Sequence, residues 1–192
     1  FTVDASVADN FEQGPMMATG RPLDVAVQGA GWIAVETPDG GEAYTRNGAL
    51  QTNAAGQLQT ASGFNVLGDG GAISIPPDNR ITIATDGTVS VVPLFGTPNN
   101  SNPVGRIKLV NPPENELVRG ADGLFRLKSG QPAEADAKVK VAPETLEGSN
   151  VNSVDAMVSL ITLSRQFEMQ VKMLQTADTN ARSAAQILSL NS

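Results

Sequence analysis

Histidine and cysteine are both absent from the 192 residues of this chain. Without cysteine the chain can form neither disulfides nor thiolate metal sites. Without histidine it lacks the usual general base and the commonest transition-metal ligand. Chemistry that depends on either side chain is therefore excluded, and we expect no metal site and no cofactor.

Aromatic and charged residues are also scarce, at 4% and 17% of the chain, and the net charge is −7. A negative balance opposes nonspecific association with nucleic acid or with an anionic membrane. No apolar run approaches the roughly 20 residues that span a bilayer, and the first residues lack the pattern of a signal peptide. We therefore expect neither nucleic-acid binding nor membrane insertion.

Turn-forming residues, in contrast, are abundant, with 19 glycines and 12 prolines. Between the turns, short runs of alternating apolar and polar residues predict about ten antiparallel strands. Asp39-Gly40 and Asn47-Gly48 predict hairpin turns, because such turns need positive φ. The expected fold is mostly β, with many short antiparallel strands and one long C-terminal α-helix.

The same patterns predict the domain organisation. We expect an extended lead-in over residues 1–20 and a β domain over residues 21–142, with a flexible loop near 93–103. A linker and the C-terminal helix follow over residues 143–192. Pro143 separates the β region from the helical segment.

Carboxylates offer one remaining route to catalysis, because paired acids can hydrolyse glycosides without histidine. Four of the acids, however, lie beside glycines, which turn chemistry explains fully. These are Asp39, Asp69, Asp86 and Asp122. We predict that the chain is not an enzyme, with a carboxylate-dependent hydrolase as the less favoured alternative.

A seven-residue apolar repeat runs through the C-terminal segment for about five heptads, which is typical of a helix that coils around a neighbour. The a positions are Ser153, Leu160, Phe167, Leu174, Ala181 and Leu188. The d positions are Ala156, Leu163, Gln170, Ala177 and Ala184. Asn152 or Ser153 can cap the helix, with Asp155 near its positive end.

Most amphipathic helices pack on the sheet of their own chain. At about 1.5 Å per residue, this helix would be about 60 Å long, which exceeds the width of a small domain. The stripe therefore predicts an assembly interface with other helices. Its residues are Leu160, Leu163, Phe167, Gln170, Leu174, Ala177, Ala181, Ala184 and Leu188.

Five runs of residues resemble the bacterial flagellar rod and hook axial family, in particular its proximal-rod type. They are RPLDVAV at 21–27, GWIAV at 31–35, YTRNG at 44–48, LEGSNV at 146–151 and RQFEMQ at 165–170. The resemblance adds the fourth run to the expected assembly interface, as Leu146, Glu147, Gly148, Ser149, Asn150 and Val151.

This resemblance implies a structural subunit of the basal-body rod that crosses the periplasm, assembles axially and transmits torque from motor to hook. The implied partners are other rod subunits, copies of itself, and the type III export apparatus. The family also implies an N-terminal helix, preceding this segment, that pairs with the C-terminal stripe. The alternatives are a distal-rod or hook relative, or a secreted β-rich adhesin or phage-tail module.

Overall fold

A computed structural model describes residues 10–94 and 101–189 of the chain. Within helix residues, the side chains at 153, 181 and 183–189 are outside the described set. The chain divides into two compact units between Asn150 and Val151, called here the β unit and the helical unit. Among the described residues, no helix is both long enough and apolar enough to cross a membrane.

Short strands account for nearly all the regular structure of the β unit, which confirms the predicted fold class. The strands are β1 (Met16–Ala18), β2 (Val25–Gln28), β3 (Trp32–Glu36), β4 (Glu42–Thr45), β5 (Leu50–Thr52), β6 (Leu58–Thr60), β7 (Asn65–Gly68), β8 (Gly71–Ala72), β9 (Asn79–Ile83), β10 (Thr88–Pro93), β11 (Asn102–Arg106), β12 (Leu109–Val110), β13 (Leu117–Arg119), β14 (Phe125–Leu127), β15 (Lys140–Pro143) and β16 (Thr145–Glu147). A 3₁₀ turn, Glu114–Glu116, precedes β13.

All the strand pairs are antiparallel. The largest sheet runs β13-β14-β4-β3-β7-β6-β5, with β12 beside β3 and β8 beside β7. A second sheet has the order β11-β10-β9, while β2 pairs with β15 and β1 pairs with β16. The first and last strands of the β unit are therefore partners, although more than a hundred residues separate them.

Strand β3 lies at the centre of the largest sheet and supplies two hydrophobic clusters. Ile33 and Val35 pack in the larger cluster, whereas Trp32 and Ala34 pack in the smaller one. Successive side chains of a strand point to opposite faces, so one buried strand serves both clusters. All four side chains are buried.

A partly buried polar network around the Tyr44 hydroxyl holds the backbone at Ala133. The Tyr44 hydroxyl accepts a hydrogen bond from the Ala133 N–H at 2.7 Å and donates to Glu42 Oε1 at 3.0 Å. Glu42 also forms an ion pair with Lys108 Nζ at 2.7 Å. Burial raises the pKa of Tyr44 to about 12, with a further rise from the Glu42 carboxylate.

One of the two predicted hairpin turns is confirmed and the other is wrong. Gly40 has φ 77° in the turn between β3 and β4, which pair as a hairpin. Asn47-Gly48 instead lies in a connection between β4 and β5, which are not neighbours in the sheet. Gly48 is needed for space, because a Cβ there would lie 1.7 Å from the Val25 carbonyl oxygen.

The unit boundaries differ from the sequence-based division at residues 20 and 142. Strand β1 lies within the predicted lead-in, and β16 lies within the predicted linker. Their pairing draws both segments into the β unit, which ends at Asn150. The centre of the predicted flexible loop, residues 95–100, falls outside the described residues, and its C-terminal end forms part of β11.

The helical unit contains one helix, α1 (Ser153–Ser189), of 37 residues. At about 1.5 Å per residue, it is about 55 Å long. The Asn152 side chain caps it, because Asn152 Oδ1 accepts a hydrogen bond from the Val154 N–H at 3.0 Å. Asp155 lies in the first turn, where the helix dipole favours a negative charge.

Candidate assembly surface

The apolar stripe of α1 is exposed along the described part of the helix. Leu160, Phe167 and Leu174 are 66%, 67% and 71% exposed. Every described side chain from Val154 to Asn180 is exposed, including Leu163, Gln170 and Ala177. Ala181, Ala184 and Leu188 belong to α1, but their side chains lie outside the described residues.

The exposed apolar surface of α1 is wider than the heptad stripe. Val154, Met157, Val158 and Ile161 are also exposed, and they follow an i, i+3, i+4, i+7 spacing on another side of the helix. The heptad pattern misses them because it follows a single seam. The first three turns of α1 therefore present apolar side chains on two sides.

Charge divides unevenly between the two parts of the chain. Residues 151–192 contain three acids and three bases, so the net charge of −7 is carried by the rest of the sequence. The six residues are Asp155, Arg165, Glu168, Lys172, Asp178 and Arg182. Copies of this neutral segment can come together without the electrostatic repulsion that a net charge would cause.

The predicted interface residues before Val151 lie where the chain leaves the β unit. Leu146 and Glu147 belong to β16, opposite Met17 and Met16 of β1. Residues 10–18 and 143–150 thus run side by side, and we call these paired segments the junction. Val151 is the first residue of the helical unit and is 65% exposed.

Side chains and backbone groups hold the junction together beyond the strand pairing. The Asn150 amide donates to the carbonyl oxygens of Asn10 and Glu12, at 3.1 and 2.9 Å. The Gly148 N–H donates to the Pro15 carbonyl oxygen at 2.8 Å. A Cβ on Gly14 would lie 1.9 Å from the Gly148 carbonyl oxygen, so glycine is required there.

Arg46 contacts the junction from the end of β4, a role that the sequence patterns did not predict. Its Nε donates to Glu147 Oε2 at 2.8 Å, across 101 positions of sequence. The other oxygen of that carboxylate, Glu147 Oε1, accepts a hydrogen bond from the Gly14 N–H at 3.0 Å. The signal available in the sequence was the run Thr-Arg-Asn-Gly at the end of strand β4, but such a run does not reveal a distant partner.

Three aromatic rings pack beside this ion pair. Trp32 lies 4.7 Å from Phe125 and 5.8 Å from Phe11, measured between ring centroids. They line a groove of about 400 Å³, together with Arg46 and Glu147. No cluster of three His, Cys, Asp or Glu residues suited to a metal ion occurs within residues 10–94 and 101–189.

Comparison with known proteins identifies the family. The model of the flagellar hook protein FlgE/F/G D1 domain matches residues 26–91, and that of the flagellar basal body rod FlgEFG protein C-terminal region matches residues 142–187. The flagellar basal-body rod protein FlgF of Escherichia coli (strain K12) is 47% identical over 93% of this chain and 73% of its own length. The chain belongs to the FlgF family of flagellar basal-body rod proteins.

Further relatives are consistent with this assignment. FlgF of Caulobacter vibrioides is 36% identical over 98% of this chain and 74% of its own length. The flagellar basal-body rod protein FlgG of Agrobacterium fabrum is 36% identical over 92% of this chain and 69% of its own length. The FlgF assignment confirms the resemblance inferred from the sequence, and neither an adhesin nor a phage-tail module is favoured.

Proposed function

We propose that this chain is a non-enzymatic building block that uses the exposed faces of α1 and the junction as its assembly surfaces. As a member of the FlgF family, it is a structural subunit of the flagellar basal-body rod. It assembles with other rod or hook subunits of the flagellum.

One observation carries this proposal: the described part of α1 exposes its large apolar side chains, whereas the β unit buries most of its own. Leu174 and Phe167 are each at least two-thirds exposed on a helix of 37 residues. Burying an apolar side chain of this size gains about 1.5–3 kcal/mol. A repeated stripe of such residues therefore strongly favours association with other helices.

We infer that the partners of α1 are helices of neighbouring rod subunits and of further copies of this chain. Contacts that repeat from subunit to subunit without closing into a ring build a helical filament. Packed helices would then form the inner part of the rod, and lateral contacts between subunits would carry torque from motor to hook. We also propose that the flagellar type III apparatus exports the subunit before it assembles.

The test introduces charge into the stripe. We expect Phe167→Asp with Leu174→Asp to stop rod incorporation and motility, because a buried unpaired carboxylate is strongly unfavourable. The matched control is Thr162→Asp with Thr176→Asp, which adds the same charge on exposed positions away from the stripe. Complementation of a strain that lacks the subunit, scored by swimming and by subunit content of isolated basal bodies, measures both.

Both double variants must retain a folded β unit, which the fluorescence of Trp32 reports because it is the single tryptophan of the chain. Normal swimming of the stripe variant would refute the proposed interface. Equal loss of swimming in the control variant would mean that α1 tolerates no added charge on either side, and the stripe would lose its special role.

A further inference from the structure

Arg46 connects segments of the β unit that are distant in sequence. Besides Glu147, its guanidinium donates to the carbonyl oxygens of Gly29 and Gly31, at distances from 3.0 to 3.1 Å. The guanidinium carbon also lies 5.8 Å from the centre of the Trp32 ring. The turn between β2 and β3 is therefore joined through one side chain to strand β16.

Glu147 extends this connection to the N-terminal side of the junction. Its side chain is 9% exposed, and its two oxygens accept from different segments, namely Arg46 Nε and the Gly14 N–H. Hydrogen bonds to an ionised carboxylate are shorter and stronger than those between neutral groups. One carboxylate thus fixes the segment that enters the β unit and the segment that leaves it.

Strand pairing alone gives the junction little support. β1 and β16 pair over three residues each, and all three side chains of β1 are exposed. An isolated two-stranded ribbon is marginally stable at best in water. The position of the junction on the β unit must therefore depend on further contacts, and the Arg46–Glu147 ion pair is one of them.

We propose that Arg46 is a positioning residue for assembly, which holds the junction in one place on the β unit and so fixes where the chain departs toward α1. Arginine suits this role because its planar guanidinium can bond several acceptors at once, whereas the ammonium of lysine is a compact point charge. The consequence for the rod rests on the proposed function: forces between β unit and α1 pass through the junction.

Amide hydrogen exchange on the isolated chain tests the positioning directly. We expect Arg46→Lys to speed exchange at the junction amides Gly14 and Gly148 by about tenfold or more, since it opens the junction locally. The core amides Ala34 and Leu58, which donate to Lys108 and Ile73, should change by less than about twofold. Glu147→Gln should give the same pattern, because it keeps the shape of the side chain and removes its charge.

The control is Arg106→Lys, which alters another arginine that bonds a backbone carbonyl, that of Asp86, outside the junction. Its junction amides should exchange as in the unchanged chain. Unaltered exchange in both test variants would overturn the proposal. Faster exchange at all amides alike, or failure of both variants to fold, would also overturn it, because Arg46 would then support the whole β unit.

Motility separates this proposal from the proposed function. We expect cells to export the Arg46→Lys subunit normally. These cells should swim more slowly than cells that carry the Arg106→Lys control. If junction exchange rises while swimming stays normal, positioning is retained and its role in assembly is overturned. If the stripe variant Phe167→Asp with Leu174→Asp swims normally, the proposed function fails whatever the exchange data show.

Discussion

The β unit and α1 use the same apolar residue types in opposite ways. Leu58 and Val66 are fully buried within the β unit, whereas Leu160 and Val154 on α1 are 66% and 64% exposed. The strands of the β unit bury their apolar faces against one another, so this unit holds its own core. The described apolar side chains of α1 are left exposed, and under the proposed function they are buried by partners from outside the chain.

Two leucine variants, one in each unit, test this comparison. Their difference in stability is the largest effect that we expect. Leu58→Ala should lower the free energy of unfolding of the β unit by about 2–5 kcal/mol, because it leaves a cavity in a packed core. Leu160→Ala should change that free energy by less than about 0.5 kcal/mol, as expected for an exposed site. Urea unfolding followed by Trp32 fluorescence measures both, and equal losses would contradict the comparison.

Alkaline pH provides the second prediction, which concerns the polar interior of the β unit. Because the folded pKa of Tyr44, about 12, lies above its ordinary value of 10.0, the neutral phenol stabilises the fold fully below pH 10. This stabilisation is lost as the pH rises from 10 to 12, and a shift of this size corresponds to about 2–3 kcal/mol. Tyr44→Phe should abolish that part of the pH dependence.

Tyr44 is the single tyrosine of the chain, so its ionisation can be followed by ultraviolet absorbance without interference from another phenol. Comparison with Tyr44→Phe removes the contribution of lysines that titrate in the same range. The helicity of α1 should respond identically in the two proteins. A tyrosine that titrates near pH 10 in the folded chain would contradict the buried network.

Two Asp–Arg pairs with the same spacing give the third and fourth predictions. In the β unit, Arg126 Nη2 lies 2.6 Å from Asp122 Oδ2, and the side chains are 37% and 30% exposed. Hydrogen bonds from Arg126 lower the pKa of Asp122 to about 2. Its stabilisation is therefore present above the unfolded value near 4 and is lost as the pH falls toward 2. We expect Asp122→Asn to cost less than about 1 kcal/mol at neutral pH.

The corresponding pair on α1 should have the smallest effect. Asp178 and Arg182 form an ion pair at 2.8 Å, with side chains that are 61% and 78% exposed. Such helix pairs contribute about 0.3–0.5 kcal/mol and weaken with salt. Asp178→Asn should slightly reduce the helicity measured by circular dichroism at low salt. A loss of helicity that corresponds to more than about 1 kcal/mol would contradict this expectation, because an exposed ion pair contributes less than that.

Patterns within a few residues were sufficient to predict the fold class and the helix. Alternation and turn residues predicted about ten of the strands, and the heptad spacing predicted α1. Asn152, one of two predicted cap residues, caps the helix. Such local patterns did not predict which distant strands pair with each other. Met16–Ala18 forms a strand because it meets Thr145–Glu147, and a run of three residues carries too little local signal to show this.

The candidate site divides in the same way. The exposed stripe on α1 follows from periodicity, because an apolar seam repeats along one side of a helix. Arg46 does not, because its role depends on Glu147 and on carbonyl groups that only the folded sheet brings near. The conformation at Gly48 was misread for a related reason: its glycine is required by contact with Val25, whereas hairpin geometry had suggested a positive φ.

The pairing of β1 with β16 brings the first and last strands of the β unit together. Its two ends meet, so strands and loops between them can be lengthened or replaced while the chain still enters and leaves at adjacent points. Domains with neighbouring termini tolerate such exchange well. Relatives whose β units differ in size can therefore keep the same paired segments at the point where the β unit ends.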